Sequence, residues 1–488
     1  MLNEPRSTTA GRPATHLSRF LRDFTTLGTA FGVTTLVALT QVFIVPKLIE
    51  VYTFGVYRIF MVYAGYLGIL HLGLADGALL YWAGRTLSHI VDEFRCVIRW
   101  MALSQITVLV LFLLGAWIVP GHSASVVVAA LGASALAANT LTLATFAMQA
   151  AKHFRWAALG AVLPPFLFLI SLPAIPGKDR SIAVVLLLYV VSQAVPAGVL
   201  LLRLRSVKRP ATQAAVARAS VRWRGLLRLG TPLMLANLGA GLSQSLDRVM
   251  LSWVTPPTRF ALYGFATSVL FAANAAAQAL GRVALPHAAQ ASQESRSDFF
   301  TALYDVILVG YGTSLTAYPA FEGVVRAWLP RYAAALPIVR ALLVGALFWT
   351  ATQVVINTTL QVSGRVGTQL QISSVAALSV GMASLAAIVE RAPLWGVAAA
   401  ASAGMAAGFV YGAIRLGLAA GDRAAKASIR FAATGVAQAG AMILATRVGT
   451  NVLGTTLLYV ALSAAPTAWA LRRVLRPQHD SSVALPRA

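Results

Sequence analysis

Cysteine, acidic residues and charged residues in general are scarce in this chain of 488 residues. The single cysteine, Cys96, excludes an intramolecular disulfide and any metal site built from cysteines. Only 11% of the residues are charged, whereas a soluble chain has about 25%. This low charge content excludes an ordinary soluble globular protein. Among the charged residues, 39 are Lys or Arg and 15 are Asp or Glu, so the net charge is +24.

Apolar residues make up 58% of the chain, and the mean hydropathy is +0.74. A helix that crosses a bilayer needs about 20 apolar residues, and the sequence contains fourteen such stretches. We therefore predict an all-α polytopic membrane protein. The predicted spans are 24–46, 56–82, 100–119, 125–150, 156–176, 182–202, 229–253, 261–285, 301–321, 334–362, 369–388, 395–416, 431–446 and 451–471.

The basic residues indicate how these spans are oriented. Successive loops lie on alternate sides of the membrane and so form two sets. The set that includes both termini holds 27 Lys and Arg, and the other set holds 8. Lys and Arg concentrate on the cytoplasmic side, so both termini are predicted to be cytoplasmic. The positive charge then indicates contact with anionic lipid headgroups rather than nucleic acid.

The basic loop 203–228 divides the spans into six and eight. It can form an amphipathic helix on the inner membrane surface or remain a solvated loop. Similar short segments open both halves, at 27–29 and 229–231, and again at 54–57 and 260–263. Repeated halves are common in transporters. We predict two six-helix bundles related by pseudo-twofold symmetry plus two C-terminal helices. The predicted domains are an N-terminal lobe 1–202, the linker 203–228, a C-terminal lobe 229–416, and helices 13 and 14 with the tail, 417–488.

The sequence shows no sign of catalysis. It has no phosphate-binding loop, no His-Glu-x-x-His and no Gly-x-Ser-x-Gly, and the seven histidines form no metal-ligand pattern. The loops are too short for a catalytic domain. We expect no enzyme and no cofactor, and transport is the remaining function.

Two stretches resemble the MOP superfamily of exporters, in particular its polysaccharide (O-antigen, Wzx-type) flippases. The first contains Gly55-Val56-Tyr57 and then the segment Leu72 to Leu79 (LGLADGAL). The second contains Leu246 to Leu251 (LDRVML), Tyr263-Gly264-Phe265-Ala266 and Leu285-Pro286. The loop before Tyr263 departs from the family pattern because it lacks the usual acidic residue and Gly.

The resemblance implies a flippase of the bacterial inner membrane. Its cargo would be a polyprenyl-pyrophosphate-linked oligosaccharide for surface polysaccharide such as the O-antigen of lipopolysaccharide, and assembly proteins are possible partners. Alternating access would move this cargo from the cytoplasmic to the periplasmic leaflet. The alternatives are a multidrug or metabolite cation antiporter of the same superfamily and a membrane glycan polymerase or ligase. An anionic cargo requires a cationic cavity, whereas a cationic drug requires an apolar or acidic one.

Charged and polar residues inside spans normally face a cavity or a partner. Arginine forks match phosphate oxygens, so we expect a cavity that binds the cargo through arginines. Arg340 can instead extend to the outer membrane surface. Tyr57 and Trp82 fit aromatic belts at the membrane surface. The cavity candidates are Arg58, Arg248, Arg340, Gln41, Gln244, Asn274, Tyr66 and Tyr263.

Four further residues are candidates for gating or coupling. Asp247 and Arg248 are sequence neighbours and point about 100° apart on a helix, so we expect them not to pair with each other. Asp247 can then contact the other lobe or form a plain interhelical ion pair. Asp76 can pair with Arg282 as an inner gate, unless Arg282 extends to the membrane surface. His71 can take part in proton coupling or be a neutral buried histidine.

Overall fold

The computed structural model describes residues 32–33, 35–207, 223–272, 293–420, 422–449 and 451–475. Every regular element in these ranges is helical. The predicted all-α polytopic class is confirmed.

Seven α-helices precede the basic loop and are called the N-terminal helices. They are α1 (Thr35–Leu48), α2 (Val51–Ala64), α3 (Leu74–Trp82), α4 (Leu87–Ile118), α5 (His122–Ala150), α6 (Phe154–Ala174) and α7 (Ile182–Arg205).

The helices after this loop are called the C-terminal helices. They are α8 (Trp223–Val254), α9 (257–272), α10 (Gln293–Thr316), α11 (Tyr318–Trp328), α12 (Leu336–Ala351), α13 (Thr358–Val362), α14 (Val366–Val389), α15 (Leu394–Ala420), α16 (Asp422–Val448) and α17 (Val452–Leu475). A π-helical turn, Thr352–Asn357, joins α12 to α13.

The chain is a multi-pass membrane protein. In its described part, ten helices are long and apolar enough to cross a membrane, and the bent pair Val452–Ala464 and Pro466–Arg472 makes an eleventh. The predicted spans 24–46, 229–253 and 261–285 correspond to α1, α8 and α9, which are not among them. Of these three helices, α1 and α9 adjoin residues that lie outside the described ranges. In α8, polar residues such as Gln244 and Asp247 interrupt the apolar sequence.

The second predicted span, 56–82, is not one helix. After α2 the chain forms a 3-10 turn, Leu67–His71, and then reaches Leu72 and Gly73, both with left-handed backbone (φ 53° and 83°). A right-handed helix cannot continue through two such residues, so α3 starts anew at Leu74. The prediction of a continuous span is wrong here.

The N-terminal helices pack mainly on each other, as do the C-terminal helices, and α16 and α17 pack on α10 and α15. A close contact between the two sets joins α3 to α8. Gly73 and Gly77 face Gly230 there, so the two backbones touch. The predicted domain boundaries stay a prediction, and residues 208–222 of the linker lie outside the described part.

Candidate functional site

A cavity of about 420 Å³ lies where α1 and α2 face α8 and α9. Its wall combines the apolar residues expected in a membrane bundle with polar side chains from all four helices. The lining residues are Ala38, Gln41, Val42, Val45, Phe54, Tyr57, Arg58, Met61, Val62, Gly65, Tyr66, Gly241, Gln244, Ser245, Arg248, Ser268, Phe271 and Ala272. Five of the predicted cavity residues, Gln41, Arg58, Tyr66, Gln244 and Arg248, are among them.

Arg58 enters the cavity wall from α2. Its Nη2 lies 3.5 Å from Thr267 Oγ1 on α9, and its buried Nε makes no hydrogen bond within the described residues. Gly264 permits this approach of α2 to α9, because a Cβ there would lie 2.7 Å from the Cβ of Arg58. The guanidinium therefore retains donors for a ligand.

Arg248 enters the wall from α8, opposite α2. Its Nη2 donates to the backbone carbonyl of Gln244, one turn earlier. Its guanidinium also lies 4.7 Å from the ring centre of Phe271. Its Nε is buried and makes no hydrogen bond in the part of the chain that the structure describes. The carbonyl and the ring hold the guanidinium in place beside the cavity.

Asp247 lies beside Arg248, contrary to expectation. Its Oδ1 lies 3.7 Å from Arg248 Nε, and its Oδ2 accepts a hydrogen bond of 2.5 Å from Tyr263 Oη on α9. The prediction that the neighbours cannot pair is wrong, because the long arginine side chain folds back along its own helix. The partners of Asp247 are both on C-terminal helices, so these contacts do not support the predicted contact between lobes.

Neutral polar groups complete the cavity wall. Tyr66 Oη and Ser245 Oγ form a hydrogen bond between α2 and α8. Gln41 Nε2 donates to the carbonyl of Pro165 on α6, at 2.7 Å. Among the residues that the structure describes, the lining thus includes two guanidinium groups and no carboxylate, since Asp247 faces a smaller adjoining void.

Two of the predicted cavity residues that the structure describes, Tyr263 and Arg340, do not line this wall. Tyr263 is fully buried and binds Asp247, so its ring is not available to a ligand. Arg340 on α12 donates from Nη1 to Thr446 Oγ1 on α16, at 3.3 Å, and is not a lining residue. The reason is that α12 packs on α15 and α16, away from α1 and α2. Asn274 lies outside the described residues.

His71 and Asp76 lie together at the break before α3. His71 Nδ1 accepts a hydrogen bond of 3.1 Å from the Gly73 N–H, and its Nε2 lies 3.7 Å from Asp76 Oδ2. The histidine thus has the backbone partner expected of a buried structural residue. Neither residue lines the cavity. Arg282, the predicted partner of Asp76, lies outside the described residues.

The prediction that Tyr57 and Trp82 belong to aromatic belts is wrong. Tyr57 is 5% exposed and lines the cavity, and Trp82 is completely buried and donates from Nε1 to Glu93 Oε2 at 2.9 Å. Neither belongs to a belt at the membrane surface. Phe54, Arg58, Val62 and Tyr66 recur four residues apart, and this spacing is the signal that could have placed all of them on one wall.

No family model and no curated protein matches the sequence. Solved structures do match the fold. The lipid II flippase MurJ in its inward closed conformation superposes with a TM-score of 0.64 at 12% identity, over 93% of this chain and 99% of that one. An inward-facing multidrug resistance MATE family transporter of the MOP superfamily gives a TM-score of 0.61 at 13% identity, over 80% and 94%. A MATE structure in complex with MaL6 gives 0.55 at 15% identity, over 82% and 96%. The chain therefore has the fold of MOP superfamily transporters.

Proposed function

We propose that this chain is a flippase that moves a polyprenyl-pyrophosphate-linked oligosaccharide from the cytoplasmic to the periplasmic leaflet of a bacterial inner membrane. The observation that carries the proposal is the cavity between the N-terminal and C-terminal helices, whose described lining holds Arg58 and Arg248 and no carboxylate. The fold, shared with a lipid II flippase, supports it. The product would serve surface polysaccharide assembly, for example of O-antigen.

The electrostatics of the wall favour an anionic cargo. A charge held inside a membrane bundle is costly unless it has a partner. Arg248 has a carboxylate nearby, but the hydrogen-bond partner of Arg58 among the described residues, Thr267, is a neutral hydroxyl. A pyrophosphate would supply both guanidinium groups with the oxygen acceptors they lack, through paired N–H···O contacts.

The size of the cavity fits the polar end of such a lipid. Binding sites for small molecules measure about 300–1,000 Å³, and this cavity of about 420 Å³ lies in that range. It has room for the pyrophosphate and the sugars next to it. The polyprenyl tail can remain in the bilayer, because only polar groups are penalised in hydrocarbon.

The cationic wall also favours this cargo over that of a multidrug antiporter. A cationic drug would require acidic or purely apolar lining residues, and it would be repelled by Arg58. We therefore place the chain with the lipid flippases among the proteins of this fold. Both termini would be cytoplasmic, where the basic loops contact anionic lipids.

Genetic complementation tests the proposal. In a strain that lacks this protein, lipid-linked oligosaccharide should accumulate on the inner leaflet, and the wild-type chain should restore surface glycan. Arg248→Ala should fail, and Arg248→Lys should restore little, because an ammonium group lacks the planar fork. Arg340→Ala is the control and should complement. If both Arg248 variants restore glycan at equal protein level, the assigned role of this guanidinium is wrong.

A further inference from the structure

The end of the cavity near the start of α2 is bordered by a cluster of seven aromatic residues, called the aromatic cluster. Two of its rings, Phe54 and Tyr57, are themselves part of the cavity wall. The others continue from them as ring-to-ring contacts with centroids 5.1 to 6.5 Å apart. The aromatic cluster consists of Phe54, Tyr57, Phe60, Phe168, Tyr189, Phe265 and Tyr332.

The aromatic cluster is divided between the two sets of helices. Its five members from the N-terminal helices form one group, in which Tyr57 stacks on Phe168 at 5.5 Å. Phe265 and Tyr332 form the other group, 5.1 Å apart. The edge-on pair of Phe54 and Tyr332, with ring centroids 5.4 Å apart, joins the two groups. If the two helix sets separate at this end, the cluster splits into two facing aromatic walls.

In the predicted topology this end faces the periplasm. Tyr332 lies in the 3-10 turn Pro330–Ala335, which follows α11 and falls between the predicted spans 301–321 and 334–362. Trp328, at the end of α11, is half exposed, and Lys47 Nζ donates to its carbonyl at 3.1 Å. Aromatic residues thus continue from the cavity wall to the surface from which the cargo would leave.

The hydroxyl of Tyr332 lacks a hydrogen-bond partner in the described part of the chain. The residue is 1% exposed, yet its hydroxyl makes no hydrogen bond among the described residues. A buried hydroxyl without a partner is unfavourable by about 1–3 kcal/mol. The buried hydroxyl of Tyr304 bonds to Ser428 at 3.1 Å and that of Tyr459 to the Gly312 carbonyl at 3.0 Å, whereas that of Tyr311, outside the cluster, also makes no hydrogen bond among the described residues.

We propose that the aromatic cluster is a saccharide-binding exit path, in which sugar rings stack between Phe54 and Tyr332 as the cavity opens outward. This inference rests on the proposed flippase function and adds a site for the glycan. Opening would expose the aromatic faces to water, which is unfavourable for apolar surface. A pyranose ring covers such faces with its C–H groups, and its hydroxyls can bond to Tyr332 Oη. The cargo thereby stabilises the open state that releases it.

Transport in proteoliposomes tests the path. The probes are fluorescent short-chain prenyl pyrophosphates that carry no sugar, one hexose or three hexoses. Tyr332→Leu and Phe54→Leu should slow the glycosylated probes relative to the sugar-free probe by about three- to tenfold, the range of one lost aromatic contact. Tyr332→Phe keeps the ring and should cause a smaller change of the same sign.

Phe409→Leu is the matched control. It removes a ring from another buried aromatic group, which contains Tyr304 and Phe431, and should leave the ratio of the glycosylated to the sugar-free transport rate unchanged. If the Leu variants slow all probes equally, or none of them, the exit path is refuted, and the cluster only packs or seals. Failure of the proposed function is recognised separately, because the wild-type protein would then move none of the three probes.

Discussion

Replacing Gly230 by Ala should prevent α3 and α8 from closing against each other. A Cβ at position 230 would lie 2.8 Å from the Cα of Gly77 and closer still to its backbone N and to the Gly73 carbonyl oxygen. All three are backbone atoms, so no side chain can turn away to make room. The two helices would have to separate.

The magnitude follows from the cost of overpacking, about 1–3 kcal/mol for an added methyl group in a tight contact. If transport requires the helix sets to separate at the contact of α3 with α8, the clash is present only in the state in which this contact is closed. The equilibrium between closed and open states should then shift toward open by about 5- to 150-fold. Gly239→Ala on the same helix is the control, because its Cβ would lie an ordinary 3.7 Å from Ser373 Cβ.

Cysteine labelling from the cytoplasmic side measures this shift. Cys96 is first replaced by serine, and Ser268→Cys then places a thiol in the cavity wall. In inverted vesicles, a membrane-impermeant maleimide should label this thiol faster in Gly230→Ala, by the factor given above, and at the parental rate in Gly239→Ala. Equal rates in all three proteins would refute the idea that the glycine contact closes this side.

Three further substitutions test the site and its support. Asp247→Asn removes the carboxylate beside Arg248 and should tighten binding of inorganic pyrophosphate to the purified protein by about tenfold, or about 1.4 kcal/mol; unchanged affinity would show that the carboxylate does not reduce the charge of the cavity. Arg58→Lys keeps the charge but loses the fork, so pyrophosphate should bind about tenfold more weakly in the same titration; equal affinity would exclude a two-point contact. Glu93→Leu leaves the buried Trp82 N–H without an acceptor and should destabilise the protein by about 1–3 kcal/mol, whereas Glu93→Gln, which retains an acceptor oxygen, should lower the melting temperature less.

The sequence predicted the helical class and the positions of the helices because a bilayer imposes one requirement, about 20 apolar residues per span. It did not predict the break at Leu72 and Gly73. Hydropathy is insensitive to backbone conformation, and the apolar pattern continues through these residues. The glycines at 73 and 77 carried the information, but only contact with Gly230 on a distant helix shows why they are there.

Hydropathy indicated which residues lie inside a span but not which way their side chains face, and the binding roles assigned to them stay predictions. Arg58 and Arg248 lie in spans and line the cavity. Arg340 also lies in a span, but its helix faces α16, and hydropathy contains no information about that direction. The contact between Asp247 and Arg248 depends on the rotamer of a long side chain, and the full burial of Tyr263 depends on tertiary packing.

Binding of two probes to the purified protein tests whether the two cavity arginines select an anionic cargo. One probe is a fluorescent prenyl pyrophosphate with a disaccharide, and the other is the lipophilic cation tetraphenylphosphonium. We expect the anion to bind to the wild-type protein and to be displaced by inorganic pyrophosphate. It should no longer bind to the double variant Arg58→Gln/Arg248→Gln. Binding of the cation alone, or equal binding of the anion to wild-type and double variant, would contradict this expectation.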